Sequence, residues 1–281
     1  MHALWKKPTD DGAYSEGSWV DTGGLSLDNL KTQDVMELAR STDTAESSTC
    51  WRIDFGRLVP LSLFAILNHN GTVQAKRRHV VTNSPTNSGA PVYDTGMERM
   101  RVATEIWGGR PFGAFAFDGI DTAAYPGGTI DLHFSPSTVY GRYLFTYLSD
   151  VDNPAGYFQA GRFMAGEAWS HRVKYGFQVR TVDPSETRRT RGGRRLVRRR
   201  PRYRTMTMTF EAMTERDAYA TGFEIENQLG KVGDFLLVYD RDDDPSVQFR
   251  RTIYAALVDT AGITTTSHQR YGWSMTAEEL I

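Results

Sequence analysis

The sequence predicts a mainly β protein in two parts: a β-sandwich, then a smaller β domain that carries one short α-helix and a basic β-hairpin. Three observations lead there. Six Trp, 13 Tyr and 14 Phe stand among 281 residues, and aromatic side chains suit the pleated, half-buried surface of a sheet. Turn signals recur at short intervals, at Asn83-Ser84-Pro85, Gly108-Gly109, Asp118-Gly119 and Pro126-Gly127-Gly128, which leaves room for short strands. Only residues 215–229 show confident helical spacing of apolar positions. No repeat with a period of about 20–50 residues is present, which excludes solenoids and propellers.

The elements follow in order. Residues 1–19 read as an extended arm with Trp5, Tyr14 and Trp19 as anchors. Residues 20–170 read as the sandwich. Within it Trp51, Ile53 and Phe55 share one face of a strand, Arg52 and Asp54 share the other, and Gly56 ends it. The run 61–67 is apolar on both faces, which predicts a central strand, and Asn68-His69-Asn70-Gly71 supplies the turn after it. Residues 139–148 form an aromatic-rich strand, 150–156 a turn, and 157–164 another strand.

The second domain covers residues 171–281. Val173, Tyr175, Phe177 and Val179 alternate with polar residues and predict a half-exposed strand. An arginine-rich stretch, 188–204, turns on Gly192-Gly193 and predicts a hairpin. The strand 204–210 places Met206, Met208 and Phe210 on one face. Thr214, with Asp217 three residues on, starts the helix in the manner of a capping box. Ala218, Gly222, Ile225 and Leu229 form its apolar stripe, joined by Tyr219 and Phe223, and Gly230 stops it. Strands at 235–239, 252–258 and 269–275 complete the domain.

Composition narrows the function classes. Cys50 is the single cysteine, so an intrachain disulfide and a cysteine zinc site are both excluded. Met1 leads into His-Ala-Leu-Trp-Lys-Lys-Pro without an apolar core, which predicts no signal peptide and synthesis in a reducing cytoplasm. The longest apolar stretch, 58–67, is too short to cross a bilayer, so no membrane insertion is expected. The formal net charge of −1 hides an asymmetry: residues 188–204 hold ten Arg and no acid, and without them 23 basic side chains face 34 acidic ones, a balance of −11. A strongly basic element sits on an acidic body.

No nucleophile elbow, Ser/His/Asp set or paired-carboxylate signature is recognisable, so the expectation is a protein without catalytic activity and without a cofactor. His2, His69, His79, His133, His171 and His268 are scattered and never stand at metal-ligand spacing. Asp240-Arg241-Asp242-Asp243-Asp244-Pro245 lacks the glycine and distal glutamate of a calcium loop and reads as a solvated turn. Trp107 before Gly108-Gly109 and Tyr125 before Pro126 are candidates for stacking on sugar rings.

Two resemblances frame the function. Asp28-Asn29-Leu30, then Trp51-Arg52-Ile53-Asp54-Phe55-Gly56, then the apolar run 61–67 resemble the discoidin-type, galactose-binding-like β-sandwich, a fold that implies a binding module. Gly141-Arg142-Tyr143 is similar to the "A-R-Y" strand of the same domains, although Phe145 and Thr146 replace the polar residues expected there. The chain as a whole resembles distal-tail-like, tail-tip or baseplate structural proteins of long-tailed bacteriophages. It does so through the "D-x-x-N-P-x-G-Y-x-x-x-G-R" stretch around Asp152, Asn153, Gly156 and Arg162, the segment Thr207 to Thr214, and the terminal strand from Trp273 to Leu280.

That second resemblance implies a non-enzymatic virion protein, made and assembled in the host cytoplasm, that forms a three- or six-fold ring with itself and docks other tail proteins. Arg188, Arg189, Arg191, Arg194, Arg195, Arg198, Arg199, Arg200, Arg202 and Arg204 are the expected assembly interface, because planar guanidinium forks suit carboxylates across an interface. A carbohydrate-binding adhesin that meets host surface glycans is the alternative. Nucleic acid is a third option, disfavoured because Tyr203 is the only aromatic interleaved with the arginines.

Overall fold

The structure, a computed structural model, describes residues 1–87, 89–100, 129–243 and 245–280. It is mainly β, with helices confined to short segments. The chain divides into two compact units, one formed by His2–Trp169 with Val238–Thr252, the other by Met1, Ser170–Leu237 and Ile253–Ile281.

The strands of the first unit are β1 (His2–Leu4), β2 (Ala13–Ser15), β3 (Ala39–Arg40), β4 (Trp51–Leu67), β5 (Lys76–Thr82), β6 (Tyr93–Asp94), β7 (Glu98–Arg99), β8 (Ile130–Ser149), β9 (Gln159–Ala160), β10 (Arg162–Gly166) and β11 (Trp169–Ser170), which runs up to its boundary. Its helical pieces are α1 (Pro8–Asp11) and a 3-10 helix at Leu27–Lys31. The main sheet runs β10-β4-β8-β5-β6, with β2 added to β4 and β7 to β5, and β3 pairs β9 in a small second sheet. Between these layers lies a core of Trp51, Ile53, Leu61, Phe64, Ile66, Val81, Leu144, Phe158 and Phe163, closed by Leu30, Ala39 and Ala160. Each such buried side chain stabilises the fold by ~1.5–3 kcal/mol relative to exposure.

The apolar run 61–67 is central as expected, since β4 lies between β10 and β8, and Arg52 and Asp54 do face away from Trp51 and Ile53. Arg52 pairs with Glu16 at 3.1 Å, and Asp54 accepts both arms of Arg142 at 2.9 and 3.0 Å. Gly56, however, does not end the strand. It sits at φ 68° in a bulge where the β4–β8 register shifts between Asp54 and Val59, so one long strand bends instead of stopping. The strand expected at 157–164 is likewise split at Gly161, whose hydrogen faces the Val35 carbonyl; a Cβ there would lie 2.0 Å from that oxygen.

The second unit contains β12 (Gln178–Val182), β13 (Glu186–Arg189), β14 (Arg195–Arg198), β15 (Tyr203–Met213), β16 (Asp234–Val238), β17 (Thr252–Ser267) and β18 (Arg270–Glu279). Strands β16-β17-β18-β15-β12 lie side by side. Met206, Met208 and Phe210 are buried on one face of β15 as predicted, with Phe210 stacked on Trp273 at 5.3 Å. The alternation from Val173 to Val179 does not make one strand. Val173 makes an isolated bridge to Phe210 of β15, Tyr175 and Gly176 then form a fully exposed turn with Gly176 at φ 105°, and continuous pairing with β15 resumes only at Gln178.

Thr214 caps the helix by accepting the Asp217 N–H at 3.1 Å. The helix then runs as α2 (Glu215–Asp217), a π-helical stretch Ala218–Phe223, and α3 (Glu224–Leu229), and ends at Gly230 with φ 52°. Ala218, Gly222, Ile225 and Leu229 are buried as expected, while Tyr219 and Phe223 are half exposed. The wider π turn sets Gly222 against the Trp273 indole, so the larger rings flank the stripe and face water. A further short helix, α4 (Pro245–Arg250), begins at the last residue of the turn expected at 240–245, of which Asp244 lies outside the described residues.

Candidate ligand-binding site

A polar cleft of the first unit arises from an arginine on an inward face. In β5 the positions Arg77, His79 and Val81 point into the sandwich, and all three are buried. An inward arginine demands compensation, and β7 and β8 supply it. The Arg77 Nε lies 2.6 Å from Asp131, Nη1 lies 3.3 Å from Glu98, and Nη2 donates to the Leu132 carbonyl at 3.2 Å. Glu98 stands directly across from Arg77 in the β5–β7 register. Its carboxylate also lies 3.3 Å from His133 Nδ1, and His133 Nε2 meets the Tyr93 hydroxyl at 2.8 Å.

Asp131, Arg77, Glu98, His133 and Tyr93 thus form one continuous chain from a fully buried carboxylate, through the half-exposed Glu98, to the Tyr93 phenol. Burial first, and the Glu98 charge second, push the Tyr93 phenol above its ordinary range, so Tyr93 is a proton donor at neutral pH. Beneath them His79 meets the Thr146 hydroxyl at 3.0 Å and stacks on Phe64 at 4.9 Å. Burial, then the charges of Arg77 and His133, hold it well below the usual histidine range, so it is neutral. The cleft above this network measures about 400 Å³ and is lined by Arg77, Glu98, Arg99, His133, Phe134 and Ser135, with Arg241 and Asp242 at its rim.

A wider depression of about 890 Å³ in the second unit lies between Thr214–Ala220 and His268–Arg270. All of its lining residues are exposed, and no buried polar group among the described residues lies at its floor. Among the described residues no group of three or more His, Cys, Asp or Glu is placed to hold a metal ion, and no helix is long and apolar enough to cross a membrane.

The ten arginines do not act alike. Arg188, Arg189, Arg195 and Arg198 lie on β13 and β14, which pair only with each other and are exposed throughout; Arg191 and Arg194 flank the turn, with Gly193 at φ 80°. Arg199 is exposed beyond β14. Arg200 pairs with Glu186 and Arg202 with Asp183, each at 3.0 Å. Arg204 belongs to β15 and is tied to the buried Glu279 carboxylate. Trp107 and Tyr125 lie outside the described residues.

The cleft was not found in the sequence, where the six histidines read as scattered. The structure brings His79 and His133 to 6.0 Å between ring centres. The available signal was the alternation of charged residues in otherwise apolar strands, Arg77 and His79 in one, Asp131 and His133 in the other.

No protein-family model matches the chain, and no curated protein matches it. Among solved structures it is similar to chitosan-binding module 2 of a chitosanase/glucanase from Paenibacillus sp. IK-5, in complex with chitotriose (16% identity, 56% of this chain and 96% of that one, TM-score 0.37). It is also similar to a Streptococcus pneumoniae fucose binding module (10% identity, 57% and 94%, TM-score 0.36). A third is the family 32 carbohydrate-binding module of C. perfringens NanJ in complex with galactose (9% identity, 58% and 98%, TM-score 0.38).

Proposed function

We propose that the first unit is a carbohydrate-binding sandwich, acting without catalysis, and that its sugar site is the cleft at Arg77, Glu98 and His133. The observation that carries the reading is the fixed orientation of Glu98. Its carboxylate is half exposed, yet held by Arg77 and His133 from behind. A sugar hydroxyl donates and accepts at once, so it suits a site where an oriented carboxylate, an imidazole and a guanidinium converge beside a half-buried ring, Phe134. The sequence resemblance to galactose-binding-like domains supports the same class of ligand.

The test is a glycan array followed by calorimetry on the best hits. Selective binding that weakens about tenfold or more in Glu98→Gln and His133→Ala, with melting temperature maintained, supports the site; tenfold corresponds to ~1.4 kcal/mol. Loss on Trp107→Ala or Tyr125→Ala with Glu98→Gln unaffected moves the site to those rings. A folded protein that binds no glycan sinks the reading.

A second reading, a structural component of a phage tail tip, draws on the exposed two-stranded hairpin of β13 and β14. Tape-measure and tail-tube genes beside this one support it, and their absence removes it. The two readings are compatible, since a tail-tip sandwich is well placed to touch host glycans.

A further inference from the structure

The hairpin at 183–202 is built to be met from outside. Its two strands form a sheet of their own, closed by the Thr190 N–H to Arg194 carbonyl bond and the Gly193 N–H to Thr190 carbonyl bond, both 2.9 Å. Alternation puts Arg188, Leu196 and Arg198 on one face and Arg189, Arg195 and Val197 on the other, so each face pairs guanidinium groups with an aliphatic side chain. Leu196 is 50% and Val197 49% exposed. The pairs of Arg200 with Glu186 and Arg202 with Asp183 fasten the base. Arg188, Arg189, Arg191, Arg194, Arg195, Arg198 and Arg199 have no ion pair among the described residues. An isolated two-stranded hairpin is marginal in water, and seven like charges on it oppose its own folding.

The complementary surface is in the other unit. Residues 10–46 hold nine acids against Lys31 and Arg40. Backbone bonds from Ser18 to Ser48, Thr42 to Ser18, Val20 to Arg40 and Arg40 to Leu25 tie this segment together. Three of the acids are used locally: Asp10 with Arg162, Glu16 with Arg52, and Asp28 with Lys31. Asp11, Asp21, Asp34, Glu37, Asp43 and Glu46 are exposed and have no ion pair among the described residues.

We propose that the hairpin of one copy docks on the acidic 11–46 segment of a second copy of this chain. Seven unpaired guanidinium groups meet six unpaired carboxylates, and Leu196 and Val197 leave water at the same contact. Because the two surfaces differ, the contact is head-to-tail and closes into a ring or runs on as a filament. The inference uses no cleft residue and stands whether or not the first unit binds sugars.

The experiment is sedimentation velocity of the full chain at low and high salt with two charge-reversed variants. One carries Arg188→Glu, Arg194→Glu, Arg195→Glu and Arg199→Glu; the other Asp11→Lys, Asp21→Lys, Glu37→Lys and Glu46→Lys, which spares Asp34 and Asp43, whose carboxylates accept the Met36 and Ala45 N–H groups. All eight positions are exposed, so both variants keep their circular dichroism. The wild type associates with rising concentration, at least tenfold more weakly at high salt; each variant alone is monomeric; an equimolar mixture associates again. A wild type monomeric at every concentration overturns the proposal, as does a mixture that stays monomeric. A monomer that instead binds DNA with a steep salt slope also overturns it, and assigns the hairpin to nucleic acid. Glycan binding by the same variants stays at the wild-type level, which separates failure here from failure of the sugar site.

Discussion

Replacing Arg162 with methionine tests what holds the N-terminal segment onto the sandwich. Arg162 is fully buried at the start of β10. It donates to the Lys31 and Thr32 carbonyls at the end of the 3-10 helix and grips both oxygens of Asp10 at 3.1 and 2.9 Å. Methionine keeps most of the stem volume, so the cavity term is small, and the loss is that of the guanidinium bonds. Breaking a buried ion pair costs ~3–5 kcal/mol, but the Asp10 side chain is 29% exposed and keeps Lys7 at 3.5 Å, so it recovers part of this from water. The expected cost is therefore ~2–4 kcal/mol, or roughly a 4–16 °C lower melting temperature at ~2–4 °C per kcal/mol. Urea titration followed by tryptophan fluorescence reads it, because Trp51 packs on Phe163, the next residue. Asp10→Asn and the double variant complete a cycle. A cost under about 1 kcal/mol for Arg162→Met would mean that the desolvation of the guanidinium cancels its bonds, and simple additivity with Asp10→Asn would mean that the two side chains are not coupled.

Arg162 also shows how far the sequence could be read. The stretch from Asp152 to Arg162 stood out as a pattern, and Asn153, Gly156, Gly161 and Arg162 in it prove to be fixed positions. Asn153 bonds the Asn70 carbonyl and Asp150 at 3.0 and 2.8 Å, Gly156 turns at φ 74°, and Gly161 admits the Val35 carbonyl. Apart from Asp150, the partners at Asn70, Val35 and Lys31 lie about eighty to 130 residues away in the chain, so only the need for them was legible. Period-two alternation gave the faces of β4 and β15, because one face of each is buried and register is then strictly fixed. It failed at Val173–Val179, where the same alternation runs through a turn with Tyr175 fully exposed. The cleft escaped for a related reason. Inward charged residues look like outward ones in a single strand, and only the β5–β7 and β5–β8 registers show that Arg77 and His79 share the face of buried Val81.

Gly161→Ala should destabilise the sandwich by ~1–3 kcal/mol, because its Cβ would sit 2.0 Å from backbone oxygen and the Val35 loop must retreat; an unchanged urea midpoint would refute the tight approach. Acid titration examines the interior beneath the same layer. His69 is buried, its Nδ1 accepts the Gly71 N–H at 3.1 Å, and its ring lies over Phe158 at 6.2 Å. Burial, only partly opposed by the Asp150 carboxylate and reinforced by Arg77, pulls it down to about 4. Its unfolded value is ~6.5. Between these two values the unfolded chain binds the extra proton, so stability is fully present above pH ~6.5 and is lost as pH falls toward ~4. At ~1.4 kcal/mol per pH unit the His69 share amounts to about 3 kcal/mol over that window, and His79, lowered in the same direction, adds to it. His69→Asn places an amide oxygen where Nδ1 accepts and removes the titration. Its stability should therefore decline less steeply than wild type from pH ~6.5 to ~4, by up to ~1.4 kcal/mol per unit. Parallel curves for the two proteins would show that His69 is not held neutral in the fold, and with that the buried turn at residues 68–71 would lose its part in acid stability.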